Sequence, residues 1–256
     1  MKNIFIKITM VTIVLITSCL IVYASSDQKD NVAQENKFDP VTKAISIMGG
    51  EGLLGLKMSK DNYAVDTIVM EDSTTPFLWQ KFNDTKALKV TLRNMPVKYK
   101  RNRYGEPVLI EGERDYDIYL DPENGTLLKI VSTKDSYYKK VEAGEIRKPT
   151  SEEAEKQLAS SNDKYFYTSS DPTPDFLKAL EVMPGDPLRA DQIIALFVNF
   201  ERGTSQQRAW VIETYGVESI TTGHHPMKVY QINHIRCLVD TKGNLISWSN
   251  RPYVVD

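Results

Sequence analysis

Three histidines, His224, His225 and His234, are the only imidazoles in the chain and the residues best suited to bind a metal. Zinc takes three or four imidazole, thiolate or carboxylate ligands, and a catalytic zinc keeps one position open for water. A hairpin between His225 and His234 would bring the three together, and a metal-dependent hydrolase is the enzyme reading this supports. The plainer reading of Gly223-His224-His225-Pro226 is a polar loop. Asp115, Asp117 and Asp121 form a second cluster, but their spacing lacks the glycine and closing glutamate of a calcium loop, which favours a solvated strand face. Cys237 lies in an apolar run and reads as a buried structural thiol. Trp79, Trp210 and Trp248 can line a ligand surface or fill a core. No P-loop, G-x-S-x-G, dinucleotide fingerprint or H-E-x-x-H occurs. No catalytic, cofactor-binding or metal residue is therefore assigned, and the balance leans away from an enzyme.

The elements that would carry these residues begin after an export-type leader. Lys2 and Lys7 precede an apolar run reaching Tyr23, and no acidic residue comes before Asp27. Residues 1–24 read as a signal peptide cut after Ala24, with two rivals. One is an uncleaved membrane anchor, and the other is lipidation at Cys19 in Ile16-Thr17-Ser18-Cys19. The expected location is outside the cytoplasm, periplasmic or secreted, with membrane contact only through this segment. Without Lys2 and Lys7, 30 basic side chains face 34 acidic ones, which gives no basic excess for a nucleic acid. Cys237 is then the sole cysteine, so no internal disulfide can form and burial must supply the stability.

Residues 25–37 are polar and read as a flexible tether. Asp39-Pro40 starts a helix with Val41, Ala44, Ile45 and Met48 on one face and Gly49-Gly50 at its end. The segment 63–70 is read as a strand inside an insertion at about 51–82, and 87–92 alternates as a half-buried strand. Tyr116 to Val131 reads as a hairpin turning at Asp121-Pro122-Glu123-Asn124-Gly125. A second hairpin spans Ile235 to Trp248 and turns at Asp240-Thr241-Lys242-Gly243. Asp186-Pro187 echoes Asp39-Pro40, and the apolar run to Arg202 is read as a long buried helix. In the segment 229–239 the apolar face changes phase at Asn233-His234, which predicts a β-bulge.

The expected fold is thus α+β and mostly β, with two related helix-plus-antiparallel-sheet units at 38–132 and 186–256 and a connection at 133–185. Val239-Asp240-Thr241-Lys242-Gly243-Asn244-Leu245-Ile246 resembles the final hairpin of PepSY-like and cystatin-like domains, and Leu120 to Leu127 resembles it more loosely. The likeness covers residues 186–256 and part of 85–131. It implies a helix wrapped by a curved sheet in an exported or envelope-anchored protein that binds or inhibits and does not catalyse. The functional expectation is a non-catalytic interaction module with a protein or peptide partner at the cell envelope. A structural subunit of an envelope assembly is the third class.

Overall fold

Asp39 fixes the first element. Its carboxylate accepts the backbone N–H groups of Val41 and Thr42 at 3.3 and 3.1 Å, and Pro40 occupies the first helical position, where no donor is needed. Helix α1, Pro40–Met48, ends at Gly49, whose φ of 118° lets its N–H reach back to the carbonyls of Ile45 and Ser46. Ala44, Ile47 and Met48 are buried, with Val41 and Ile45 packed against the same core.

This is a computed structural model, and it describes residues 38–51, 57–70, 84–96, 100–101, 107–108, 112–146, 163–184, 187–220 and 230–252. All lie in the unit Lys37–Asp256. The leader and tether at residues 1–37 fall outside the described residues. Among the described residues no helix is long and apolar enough to cross a membrane.

After α1 and a 3-10 turn at Lys60–Asn62 come strands β1, Tyr63–Met70, and β2, Thr85–Pro96, then the short pair β3, Lys100–Arg101, and β4, Pro107–Val108. Strands β5, Glu113–Leu120, and β6, Leu127–Thr133, are followed by helix α2, Asp135–Glu142, strand β7, Asp163–Tyr167, and helix α3, Phe176–Glu181. A 3-10 turn at Pro187–Arg189 leads into β8, Gln192–Arg202; β9, Ser205–Ile220; β10, Tyr230–Asp240; and β11, Leu245–Pro252. Apart from the β3–β4 pair, these strands form one nine-stranded antiparallel sheet in the order β1-β2-β5-β6-β8-β9-β10-β11, with β7 beside the far part of β8.

This corrects the expectation of an α+β fold with two cystatin-like or PepSY-like helix-plus-sheet units. Strand β6 pairs with β8 from Ile130↔Ala195 to Thr133↔Gln192, so the strands of both halves belong to a single sheet. Arg114 reinforces that seam. Its buried guanidinium donates to Ser132 Oγ at 2.5 Å, to the Ala190 carbonyl at 2.8 Å and to the Leu188 carbonyl at 3.0 Å, tying β5 and β6 to the turn before β8. The helix expected from Asp186 to Arg202 is also corrected, because most of it is strand β8. Gln192 to Val198 are buried without a break, since a central strand covered on both faces needs apolar residues at consecutive positions. A run such as IIALF satisfies either geometry, and its β-branched and aromatic residues favour the strand. The supposed connection supplies α2, β7 and α3. The strand expected at 63–70 within the insertion is present as the edge strand β1, paired to β2 along its whole length.

Two cores result. On one face Leu88, Val90, Leu92, Ile118, Ile193, Phe197, Trp210 and Cys237 meet α1 and α3. On the other, Tyr119, Ile194, Leu196, Val211, Tyr215 and Leu238 meet Tyr137 of α2. Both predicted hairpins form, with a register shift at Tyr119/Leu120 in one and at Leu238/Val239 in the other. The predicted phase change is present too: Asn233 pairs with Val217 but Ile235 with Thr214. The extra residue belongs to β9, where Tyr215 and Gly216 stand opposite the single residue His234.

Candidate functional site

Strands β9 and β10 carry Glu213 and Arg236 directly opposite one another on the α2 face, each inside an otherwise apolar run. Glu213 is 1% exposed, so its charge persists only if paired. Arg236 Nε and Nη2 both reach Glu213 Oε1 at 2.5 Å. The Tyr215 hydroxyl donates to Oε2 at 2.7 Å, and His234 Nε2 lies 3.3 Å from the same oxygen. The imidazole of His234 stacks on the Tyr215 ring with centroids 4.5 Å apart and planes 11° from parallel. The β9 bulge permits this stack, because it turns Tyr215 toward the single residue facing it. Burial pushes the Glu213 carboxyl up, but Arg236, His234 and Tyr215 together outweigh that and hold it at about 2. The group is an ionised anchor, far from the range of a general base at neutral pH.

Asp191 closes the other end of the bulge. Its carboxylate accepts from Ser136 Oγ at 2.5 Å and Lys140 Nζ at 2.6 Å, which pins α2 to the sheet, and its N–H donates to the Tyr215 carbonyl at 2.9 Å. Gly216, at φ +72°, passes so close that an added Cβ would stand 2.1 Å from Asp191 Oδ2.

Of the residues singled out from the sequence, His234 is thus bound into the Glu213 cluster, while His224 and His225 lie outside the described residues, as does Trp79. Among the described residues no group of three or more His, Cys, Asp or Glu side chains is arranged to hold a metal ion. The three aspartates take separate partners. Asp115 accepts the N–H of Asn94 at 2.7 Å, Asp117 pairs with Lys89 at 3.0 Å and accepts from Thr91 Oγ1 at 2.7 Å, and Asp121 caps its own turn through the N–H of Glu123. Cys237 is a buried cysteine in the core on the α1 and α3 side. Trp210 is core, with its indole N–H on the Pro174 carbonyl at 2.7 Å, whereas Trp248 is 54% exposed.

No protein family, curated protein or solved structure matches this chain. The site must therefore be read from its own chemistry.

Sequence reasoning passed over a surface feature at the junction of β7, β8 and β9. Phe166, Asn199 and Arg208 stand in a cross-strand row, since Phe166 pairs with Asn199 and Asn199 with Arg208. Asn199 and Arg208 line an open groove of about 510 Å³ with Thr168, Ser170, Gln206 and Gln207. Two of its amides are engaged: Asn199 Nδ2 donates to the Tyr167 carbonyl at 3.5 Å, and Gln206 Nε2 to Glu201 Oε1 at 3.0 Å. Arg208 is exposed and pairs with no carboxylate among the described residues. Phe166 is 46% exposed. The only sequence signals were the polar run from Ser205 to Arg208 and the distant aromatic run Tyr165-Phe166-Tyr167, and no local motif joins them. The Glu213–Arg236 pair had a clearer signal, namely two opposite charges within neighbouring buried strands.

Proposed function

We propose that the chain is a non-catalytic interaction module, exported or held at the cell envelope, whose β7–β9 groove takes an acidic protein or peptide segment. The observation that carries this reading is the row Phe166, Asn199, Arg208, whose two end residues are exposed and whose middle one is half-buried. It offers an apolar ring, an amide and a guanidinium at strand spacing, roughly 4.8 Å from one to the next. An extended segment with a carboxylate and an apolar side chain about 10 Å apart matches that row, and the Arg208 fork suits bidentate carboxylate binding. Deeper in the sheet the charged groups work for the fold: Glu213, Arg114 and Asp191 are each engaged by internal partners. The exported location rests on the Lys2-to-Tyr23 leader pattern.

The test is capture from envelope extract with the wild-type protein beside Arg208→Glu and Phe166→Ser variants, with metal analysis of the same samples. A partner protein held by the wild type and released by both variants is expected. A partner retained equally by all three, or stoichiometric metal lost in His225→Ala with no partner, overturns the reading.

A further inference from the structure

The outer edge of β1 pairs with no strand among the described residues, and it is less guarded than the edge at the opposite end of the sheet order, β11. Edge strands are normally protected by lysine, proline or a bulge, because their unpaired N–H and C=O groups invite another strand. Strand β11 carries Arg251 and Pro252 near its end. Strand β1 reads YAVDTIVM, with a single charge at Asp66, no proline, and an unbroken register against β2. Its α1-side face presents Val65, Thr67 and Val69, all exposed, the valines at 41% and 55%.

We propose that β1 is a self-association edge, and that its partner is β1 of a second copy of this chain, antiparallel about a two-fold axis through Thr67. The Val-x-Thr-x-Val order reads the same in both directions along the exposed face. With the axis at Thr67, Val65 of each copy faces Val69 of the other, and the two threonines meet on the axis. Both exposed valines are then covered by a branched apolar partner, the cross-strand pairing that stabilises sheets. On the opposite face Asp66 meets Ile68 and Ala64 meets Met70. Moving the axis one position toward the N-terminus sets Asp66 against Asp66, a like-charge pair that disfavours that register. A two-fold axis makes such a contact isologous and closed, so pairing stops at the dimer. A seven-residue ladder falls short of the roughly 1,200 Å² of a stable standard interface, so the dimer is weak and concentration-dependent. The contact does not use the β7–β9 groove, and the groove variants leave it unchanged.

Cysteine cross-linking of the full chain in a Cys19→Ser background tests both the partner and the register. Thr67→Cys is expected to form an intermolecular disulfide under mild oxidation. Val65→Cys alone is expected to form none, because its two copies lie roughly 13 Å apart in this register. A mixture of Val65→Cys and Val69→Cys chains should restore cross-linking. In sedimentation of the otherwise native chain, Val69→Lys should weaken dimerisation about tenfold or more while leaving the circular dichroism spectrum unchanged. A monomer at all concentrations, a Thr67→Cys chain that stays uncrosslinked, or a Val65→Cys chain that links to itself would overturn the proposal.

Discussion

Replacing Glu213 with glutamine tests whether the buried ion pair holds the β9–β10 region together. The substitution keeps volume and one carbonyl oxygen but removes the charge that Arg236 and His234 face. Two lines give its size. Breaking a buried pair by neutralising one partner costs about 3–5 kcal/mol. Independently, a carboxyl held at about 2 against its ordinary 4.5 corresponds to about 3 kcal/mol of stability. Because the folded value lies below the unfolded one, this contribution is complete above pH 4.5 and is lost as the pH falls toward 2. Urea unfolding of wild type and Glu213→Gln at pH 7, 5 and 3 should therefore show a gap of about 3 kcal/mol at pH 7, nearly the same at pH 5, and much smaller at pH 3. A gap under about 0.5 kcal/mol at pH 7, or one that does not change with pH, would refute the argument. The double variant Glu213→Leu with Arg236→Met should recover most of the loss, since an apolar pair of similar volume needs no compensating charge.

Gly216→Ala should cost about 2–4 kcal/mol, because it adds a clash with Asp191 to a left-handed backbone, and Gly203→Ala, left-handed with nothing within 4 Å, should cost about 1 kcal/mol; equal shifts in the urea midpoint would remove Asp191 from the explanation. Burial pushes the Lys129 ammonium down to about 8, with Asp117 pulling it back up and Lys89 adding to the fall, so folded-state stability should rise as the pH climbs from 8 to 10.5. Lys129→Met should be more stable by about 1–3 kcal/mol at pH 7 and lose that rise; a less stable variant would mean that the ammonium's contact with the Tyr119 ring, 4.5 Å away, outweighs its burial.

Local grammar in the sequence reached the structure where one residue type has one physical use. Asp39-Pro40 and Gly49 bounded α1, and the turns after Leu120 and Val239 formed where Asp and Gly stood together. The parity change at Asn233-His234 located a bulge, although the bulge's extra residue lies on the neighbouring strand. What could not be read was whether two similar meanders keep separate sheets or share one. That depends on the seam between Ile130–Thr133 and Gln192–Ala195, and on Arg114 reaching backbone carbonyls 74 and 76 positions away. No local pattern encodes such a contact. The same limit hid the groove, whose row draws one residue from each of three strands. Strand β8 misled for another reason: being covered on both faces erases the period-two alternation that marks a strand.

The single sheet has a consequence for how the two surface features act together. Strand β1 lies four strand spacings from β8, roughly 19 Å. A second copy joined edge to edge at β1 extends the sheet sideways and covers neither face, so both grooves of the dimer stay open. A weak dimer with two open grooves gains most from a partner that is itself repeated or fixed on a surface, where the second contact becomes intramolecular and overall avidity exceeds single-site affinity by about 10²-fold or more. The seam around Arg114 is what makes this geometry fixed. Had the halves been separate units on a flexible connection, the spacing between grooves would vary and the gain from bivalence would fall.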